Sequence, residues 1–213
     1  MAPAGNQGSE TASEPAGTKA RLVDAAIRTL TTKGFAGTSA REIAATGGLN
    51  QALVFYHYGS VQNLLLAALD LVSARRLASY GPRFERARSV GELAGLASEI
   101  YQEDLENGYV TVLAEMVAGG VSDRELGAAV VERIEPWIEM VASKLSQLTA
   151  GTVLEALIPA RETAFAIVAL YLGMDLLSQL DGGHARAEAL LDVGIRNAPL
   201  ADLLLLQREG GER

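Results

Sequence analysis

The chain has 213 residues, of which nearly half are apolar and 21% charged, a composition that builds a packed core rather than a disordered chain. It has no cysteine and only two histidines, His57 and His184, which excludes disulfides, thiol chemistry, thiolate metal sites and a histidine-rich metal site. The formal net charge of −8 speaks against a nucleic-acid partner until its distribution is read: residues 18–65 carry Lys19, Arg21, Arg28, Lys33 and Arg41 against Asp24 and Glu42, whereas residues 66–213 carry 13 basic and 22 acidic side chains.

Residues 1–17 hold no Leu, Ile, Val or aromatic residue and read as a disordered tail without the apolar stretch of a secretory signal. From Thr18 onward apolar residues recur at helical spacing, and no alternating strand pattern is present. The expected fold is all-α, with about nine helices. They are separated by breaks at Gly34–Gly37, Gly47–Gly48, Gly59, Gly81–Pro82, Asn107–Gly108, Gly119–Gly120, Ala150–Gly151, Pro159, Asp181–Gly183 and Pro199.

The first helix is expected over Thr18 to Lys33, stopped by Gly34 with Phe35 behind it. A short second helix follows, Ser39 to Thr46, with Ser39 and Glu42 spaced as a capping box. Gly47-Gly48-Leu49 is long enough only for a tight turn. Asn50 then caps a third helix, Gln51 to Tyr58, and Ser60 caps a long fourth one, Val61 to about Ser79. Two short helices across a glycine turn are a helix-turn-helix. Ala44 supplies the small residue at the crossing, Gly48 the turn, and Ile43, Leu49 and Val54 the apolar lock. A third helix of about 12 Å matches a major groove of about 12 Å.

Residues 18–65 resemble the DNA-binding head of the tetracycline-repressor (TetR) family of transcriptional regulators. The resemblance rests on Leu22-Val23-Asp24-Ala25-Ala26, Lys33-Gly34-Phe35, Thr38-Ser39-Ala40-Arg41-Glu42-Ile43-Ala44, Gly48-Leu49-Asn50, Phe55-Tyr56-His57-Tyr58-Gly59-Ser60 and Leu64-Leu65. It implies a sequence-specific regulator, a repressor by default. Such a protein binds a double-stranded, pseudo-palindromic operator as a homodimer and is released by a small-molecule inducer. Phosphate contacts then fall to Thr38, Ser39 and Arg41, and base readout to Asn50, Gln51, Ala52 and Leu53. Tyr56 and His57 follow as further phosphate ligands. Gln51 has the amide that pairs bidentately with adenine, and Leu53 suits a thymine methyl. Phe55 reads as core.

Two departures weaken the head: Phe55 stands where the family often has Tyr, and Val61 where it often has Lys. With about three phosphates neutralised per head, a dimer has a log–log salt slope near −5. The third helix holds no Arg or Lys, so DNA shape carries part of the specificity.

Residues 66–213 read as a ligand-binding and dimerisation domain. Asp123 to Leu148 is a long amphipathic helix, kinked or restarted at Pro136. Arg161 to Leu180 is apolar on most faces, which calls for burial on both sides. The resemblance places a four-helix dimer interface on the last two helices, here Phe165, Ile167, Val168, Leu172, Leu176, Leu203 and Leu204. Candidate inducer contacts are Tyr101, Tyr109, Met116, Trp137, Met140, Tyr171 and Met174. Glu115 and Asp175 sit inside apolar stretches, where a carboxylate could select a cation but a salt bridge is the commoner explanation. The cluster Arg75, Arg76, Arg83, Arg86 and Arg88 reads as a solvated face.

The longest uncharged apolar run, Ala164 to Met174, falls short of the roughly 20 residues of a bilayer span, so a cytoplasmic protein with no membrane partner is expected. No phosphate loop, Gly-x-Gly-x-x-Gly motif or nucleophile–histidine pair is present, so neither an enzyme nor a cofactor is expected. The surviving alternative is a helical small-molecule binding protein that has lost sequence-specific DNA binding.

Overall fold

A computed structural model describes residues 15–206, which form ten helices and no strand. The expected tail lies outside the described residues, except that Pro15–Gly17 open the first helix. In chain order the helices are α1 (Pro15–Lys33), α2 (Ala40–Gly47), α3 (Ala52–Tyr58), α4 (Val61–Arg86), α5 (Val90–Asn107), α6 (Tyr109–Ser122), α7 (Arg124–Thr149), α8 (Leu154–Leu157), α9 (Ala160–Asp181) and α10 (Ala185–Leu206).

The helix starts follow capping chemistry. Ser39, Ser60 and Ser89 are extended residues whose side chains accept from the amides of Glu42, Asn63 and Glu92. Asp123 accepts from the amides of Glu125 and Leu126, both at 3.0 Å, to start α7. These bonds hold its carboxyl below the ordinary range, aided by Gln62 Nε2 at 2.6 Å.

Three expected breaks do not occur. Gly81–Pro82 lies within α4, Pro199 within α10, and Gly119–Gly120 within α6; likewise α7 runs through Pro136 without restarting. The prolines are carried by tertiary packing on either side, as with Tyr80 and Phe84 flanking Pro82 in one cluster with Trp137. The two glycines of α6 serve close approach instead of a turn. A Cβ on Gly119 would meet the Phe35 ring at 2.6 Å, and one on Gly120 would meet the Gly127 backbone at 2.9 Å. The short α8 lies between the expected breaks at Ala150–Gly151 and Pro159.

The largest hydrophobic cluster joins the first helices to the rest. Leu22, Ala26, Leu30, Ile43, Val54, Leu64 and Leu65 pack with Val112 and Met116 of α6 and with Leu126 and Val130 of α7. At this junction Phe35 N donates to Glu115 Oε2 at 2.7 Å, so the Glu115 carboxylate ties α6 to the end of α1.

Smaller clusters hold the remaining helices together, and α9 is unevenly covered. Ala164, Met174 and Asp175 are buried, but Phe165, Leu170, Leu177 and Leu180 are exposed, as are Leu190, Leu200, Leu203 and Leu204 of α10. By length and composition Ala160–Leu180 suffices to cross a membrane, more than the uncharged run alone suggests.

Candidate nucleic-acid interface and ligand cavity

The second and third helices are set by local contacts. Gly48 adopts φ +60°, a left-handed conformation open to glycine, and its amide turns back onto the carbonyls of Ala44 and Ala45. Ala44 is buried at the crossing, and Ile43 and Val54 are fully buried. Asn50 Oδ1 accepts from the Ala52 amide at 2.9 Å and so starts α3. Around them, Arg21 and Arg28 of α1 reach the carbonyls of Gly47 and Thr46, and the Tyr58 hydroxyl donates to the Lys19 carbonyl at 3.2 Å. Lys33 forms an ion pair with Glu42, whose carboxyl is held below its usual range by that ammonium.

These contacts leave one face of α3 outward. Gln51, Ala52, Phe55 and Tyr56 are exposed, at one-turn spacing, while Val54 and Tyr58 face inward. Phe55 is therefore not core as expected: it is 53% exposed and stands beside Tyr56, which is 81% exposed. Val54 and Tyr58 already occupy the inward stripe of a seven-residue helix, which turns Phe55 out. Leu53 is half-buried against the core cluster, and His57 is half-buried with its ring edge-on to Tyr56. Ser39, Arg41 and Asn50 are exposed. Thr38 is half-buried, its hydroxyl donating to the Gly34 carbonyl at 2.7 Å. Of the expected DNA-contact residues, Ser39, Arg41, Asn50, Gln51, Ala52 and Tyr56 are thus exposed, and Thr38, Leu53 and His57 are half-buried.

Further along, α4 to α7 and α9 line a partly open apolar cavity of about 100 Å³. Its walls include Phe84, Ile100, Val110, Leu113, Trp137 and Met140, together with Ile167, Val168, Tyr171 and Leu172 of α9. Three of the seven expected ligand contacts, Trp137, Met140 and Tyr171, line it. Met116 and Tyr109 pack in the large cluster instead, Tyr101 is fully buried behind Tyr171, and Met174 faces α10. Val168 and Leu172, expected at a dimer surface, face this cavity, because the inward stripe of α9 runs Ala164, Val168, Tyr171, Leu172, Asp175.

One charge lies at the cavity wall, and it is already matched. Arg76 is 7% exposed and its guanidinium forks onto the fully buried Asp104, with Nε to Oδ1 at 2.9 Å and Nη2 on Oδ2. The hydroxyls of Tyr80 and Tyr171 donate to the same carboxylate at 2.8 and 2.5 Å, and the Arg76 plane stacks 4.5 Å over Trp137. Burial beside this carboxylate pushes both tyrosine hydroxyls far above their ordinary value.

The expectation of a solvated arginine face holds for Arg75, Arg86 and Arg88, which are exposed, and is corrected for the other two. Arg76 is inside, and Arg83 pairs with Glu99 and Glu103, because α5 lays its acidic stripe along α4. Asp104 was missed from the sequence. Its only signal was an acidic residue at a helical register that also buries Ile100 and Tyr101.

Residues 22–68 match the sequence model of "Bacterial regulatory proteins, tetR family". No curated protein matches the chain by sequence. Among solved structures, a TetR-family member from Streptomyces coelicolor A3 superposes with TM-score 0.60 and 26% identity, over 86% of this chain and 99% of that one. The fatty acid degradation regulator FadR from Bacillus halodurans gives 0.72 and 14%, over 96% and 99%. FadR from Bacillus subtilis, solved with stearoyl-CoA, gives 0.69 and 11%, over 84% and 96%. By sequence, residues 22–68 match the model of the tetR family of bacterial regulatory proteins, and by fold the described chain is similar to solved structures of that family.

Proposed function

We propose that the protein is a ligand-responsive transcriptional repressor that binds a pseudo-palindromic operator as a homodimer and leaves it when a small molecule fills the cavity. The observation that carries the reading is the open face of α3, with Gln51, Ala52, Phe55 and Tyr56 directed outward from a helix-turn-helix of tetR-family sequence. Thr38, Ser39, Arg41, Tyr56 and His57 hold phosphates in this reading. Asn50, Gln51, Ala52 and the edge of Leu53 meet the bases. Phe55 joins them as an apolar surface for a thymine methyl.

The uncovered apolar residues of α9 and α10, Phe165, Leu177, Leu180, Leu203 and Leu204 among them, support dimerisation through these helices, because a monomer would leave a broad apolar patch in water. A compact subunit of this length has a radius of gyration of about 17 Å, so paired subunits reach grooves about 34–36 Å apart. The apolar cavity suits a ligand with an aliphatic or aromatic body, and the stearoyl-CoA in the B. subtilis neighbour supports this choice. Coupling would run through α6, which lines the cavity with Val110 and Leu113 and grips Phe35 of the head with Glu115 and Gly119.

The test uses an operator recovered by selection from random duplex DNA. Wild type binds it with a log–log salt slope near −5, and Gln51→Ala costs about 1–3 kcal/mol of affinity with the slope unchanged. Undiminished binding by both Gln51→Ala and Tyr56→Ala would remove α3 from the interface.

A further inference from the structure

A second chamber, of about 330 Å³ and partly open to solvent, lies behind the Arg76–Asp104 pair. Asp104 forms part of its wall and Val110 borders both spaces, so the ion pair separates the two. The chamber differs from its neighbour in chemistry. Its walls carry Asp104, Thr111, Asp175, Ser178, Gln179 and His184.

The charges there are unequal. Asp104 is neutralised by Arg76. Asp175 is 2% exposed and forms no ion pair among the described residues. Gln179 Nε2 donates to its Oδ2 at 2.8 Å, while Oδ1 accepts no hydrogen bond among the described residues and keeps access to solvent, and the residue borders the chamber. A carboxylate this deep, with one oxygen met only by solvent and no paired cation, favours a cationic group in the space before it.

The backbone adds to the same field. α5 ends at Asn107 and α9 at Asp181, and Leu105, Gly108, Ser178 and Gly182 of these two ends line the chamber. Two helix C-termini thus direct their negative ends at it, against the single N-terminus of α6 at Val110 and Thr111. The titratable groups around it are His184, Tyr101, whose hydroxyl bonds Ser178 and His184, and the Arg76–Asp104 pair, and burial has pushed the Asp175 carboxyl up to about 6.

We propose that this chamber is a second binding site, for the ammonium group of a small organic amine, with the Asp175 carboxylate as its counterion. The Ser178 hydroxyl and the carbonyls at the ends of α5 and α9 accept the remaining ammonium protons. The site is independent of the DNA reading. It also selects against anionic head groups, which the apolar cavity by itself does not.

The test is calorimetric titration of the full chain at pH 8 with n-butylammonium, butyrate and 1-butanol in parallel. Trp137, the sole tryptophan, reports separately by fluorescence on the apolar cavity. Butylammonium binds at least tenfold more tightly than the other two, and Asp175→Asn removes at least tenfold of that affinity. In a second variant, Thr111→Lys, a tethered ammonium fills the chamber and abolishes amine binding. Equal affinity for the three probes, or unchanged amine binding in both variants, overturns the site. A Trp137 response that is the same for all three probes assigns their binding to the apolar cavity and likewise overturns it.

Discussion

At the scale of single residues, the two buried aspartates among the described residues, Asp104 and Asp175, behave in opposite ways. Asp104 receives four hydrogen bonds, two from Arg76 and one each from Tyr80 and Tyr171. Removing it strands a buried guanidinium, so Asp104→Ala should cost about 3–5 kcal/mol in urea unfolding, far more than a surface substitution.

Asp175 is not compensated in this way. Its folded value, about 6, lies above its ordinary one of 3.8, so its contribution to stability is full below that ordinary value and is lost as pH rises through 6. Asp175→Asn should therefore raise Tm by several degrees at pH 8, and the gain should shrink as pH falls below about 6 and vanish below the ordinary value of 3.8. An equal gain at pH 8 and below that value would show that the carboxylate is not the cause.

Asp175 was legible in part, as a carboxylate within an apolar stretch that could select a cation, whereas Asp104 was not. Periodicity placed both residues on helices, but Arg76 meets Asp104 across 28 positions and Tyr171 meets it across 67. Only the packing of α4, α5 and α9 brings them together. Phe55 was misread for a related reason: an aromatic residue in an amphipathic helix reads as core until the inward stripe is seen to be full.

At the scale of elements, the first four helices were readable because their signals are local. Ser39, Asn50 and Ser60 cap within three residues, and Gly48 turns within one. Later glycines and prolines were ambiguous, since the same residue types that end a helix also permit close approach within one. Gly119 is the test of that distinction. An added methyl collides with the Phe35 ring of the head, so Gly119→Ala should destabilise by about 1–3 kcal/mol although alanine is the better helix former. Stabilisation by this substitution would mean that α6 does not press on the head. The same contact is the mechanical link from cavity to α1, so the variant should also weaken the effect of any inducer on DNA binding.

At the scale of the whole molecule, the apolar surface left by α9 and α10 governs assembly. The sequence signalled an excess of apolar residues on these helices. It could not say which of them face inward, and Val168 and Leu172 prove to line the cavity. Leu177 and Leu203 stand on the open side. In light scattering, wild type should show twice the 22.4 kDa of one chain, and the double variant Leu177→Glu, Leu203→Glu a single chain with its helical content intact. Persistence of the dimer in that variant would move the interface elsewhere.

A dimer built on these helices presents two copies of the α3 face, and an operator with two half-sites follows from that symmetry. Selection of bound sequences from random duplex DNA at low salt tests this most directly. Enrichment of an inverted repeat, with half-sites one or more helical turns apart and lost on Gln51→Ala, is the predicted result. A pool that stays random while weak, salt-sensitive binding persists would contradict it.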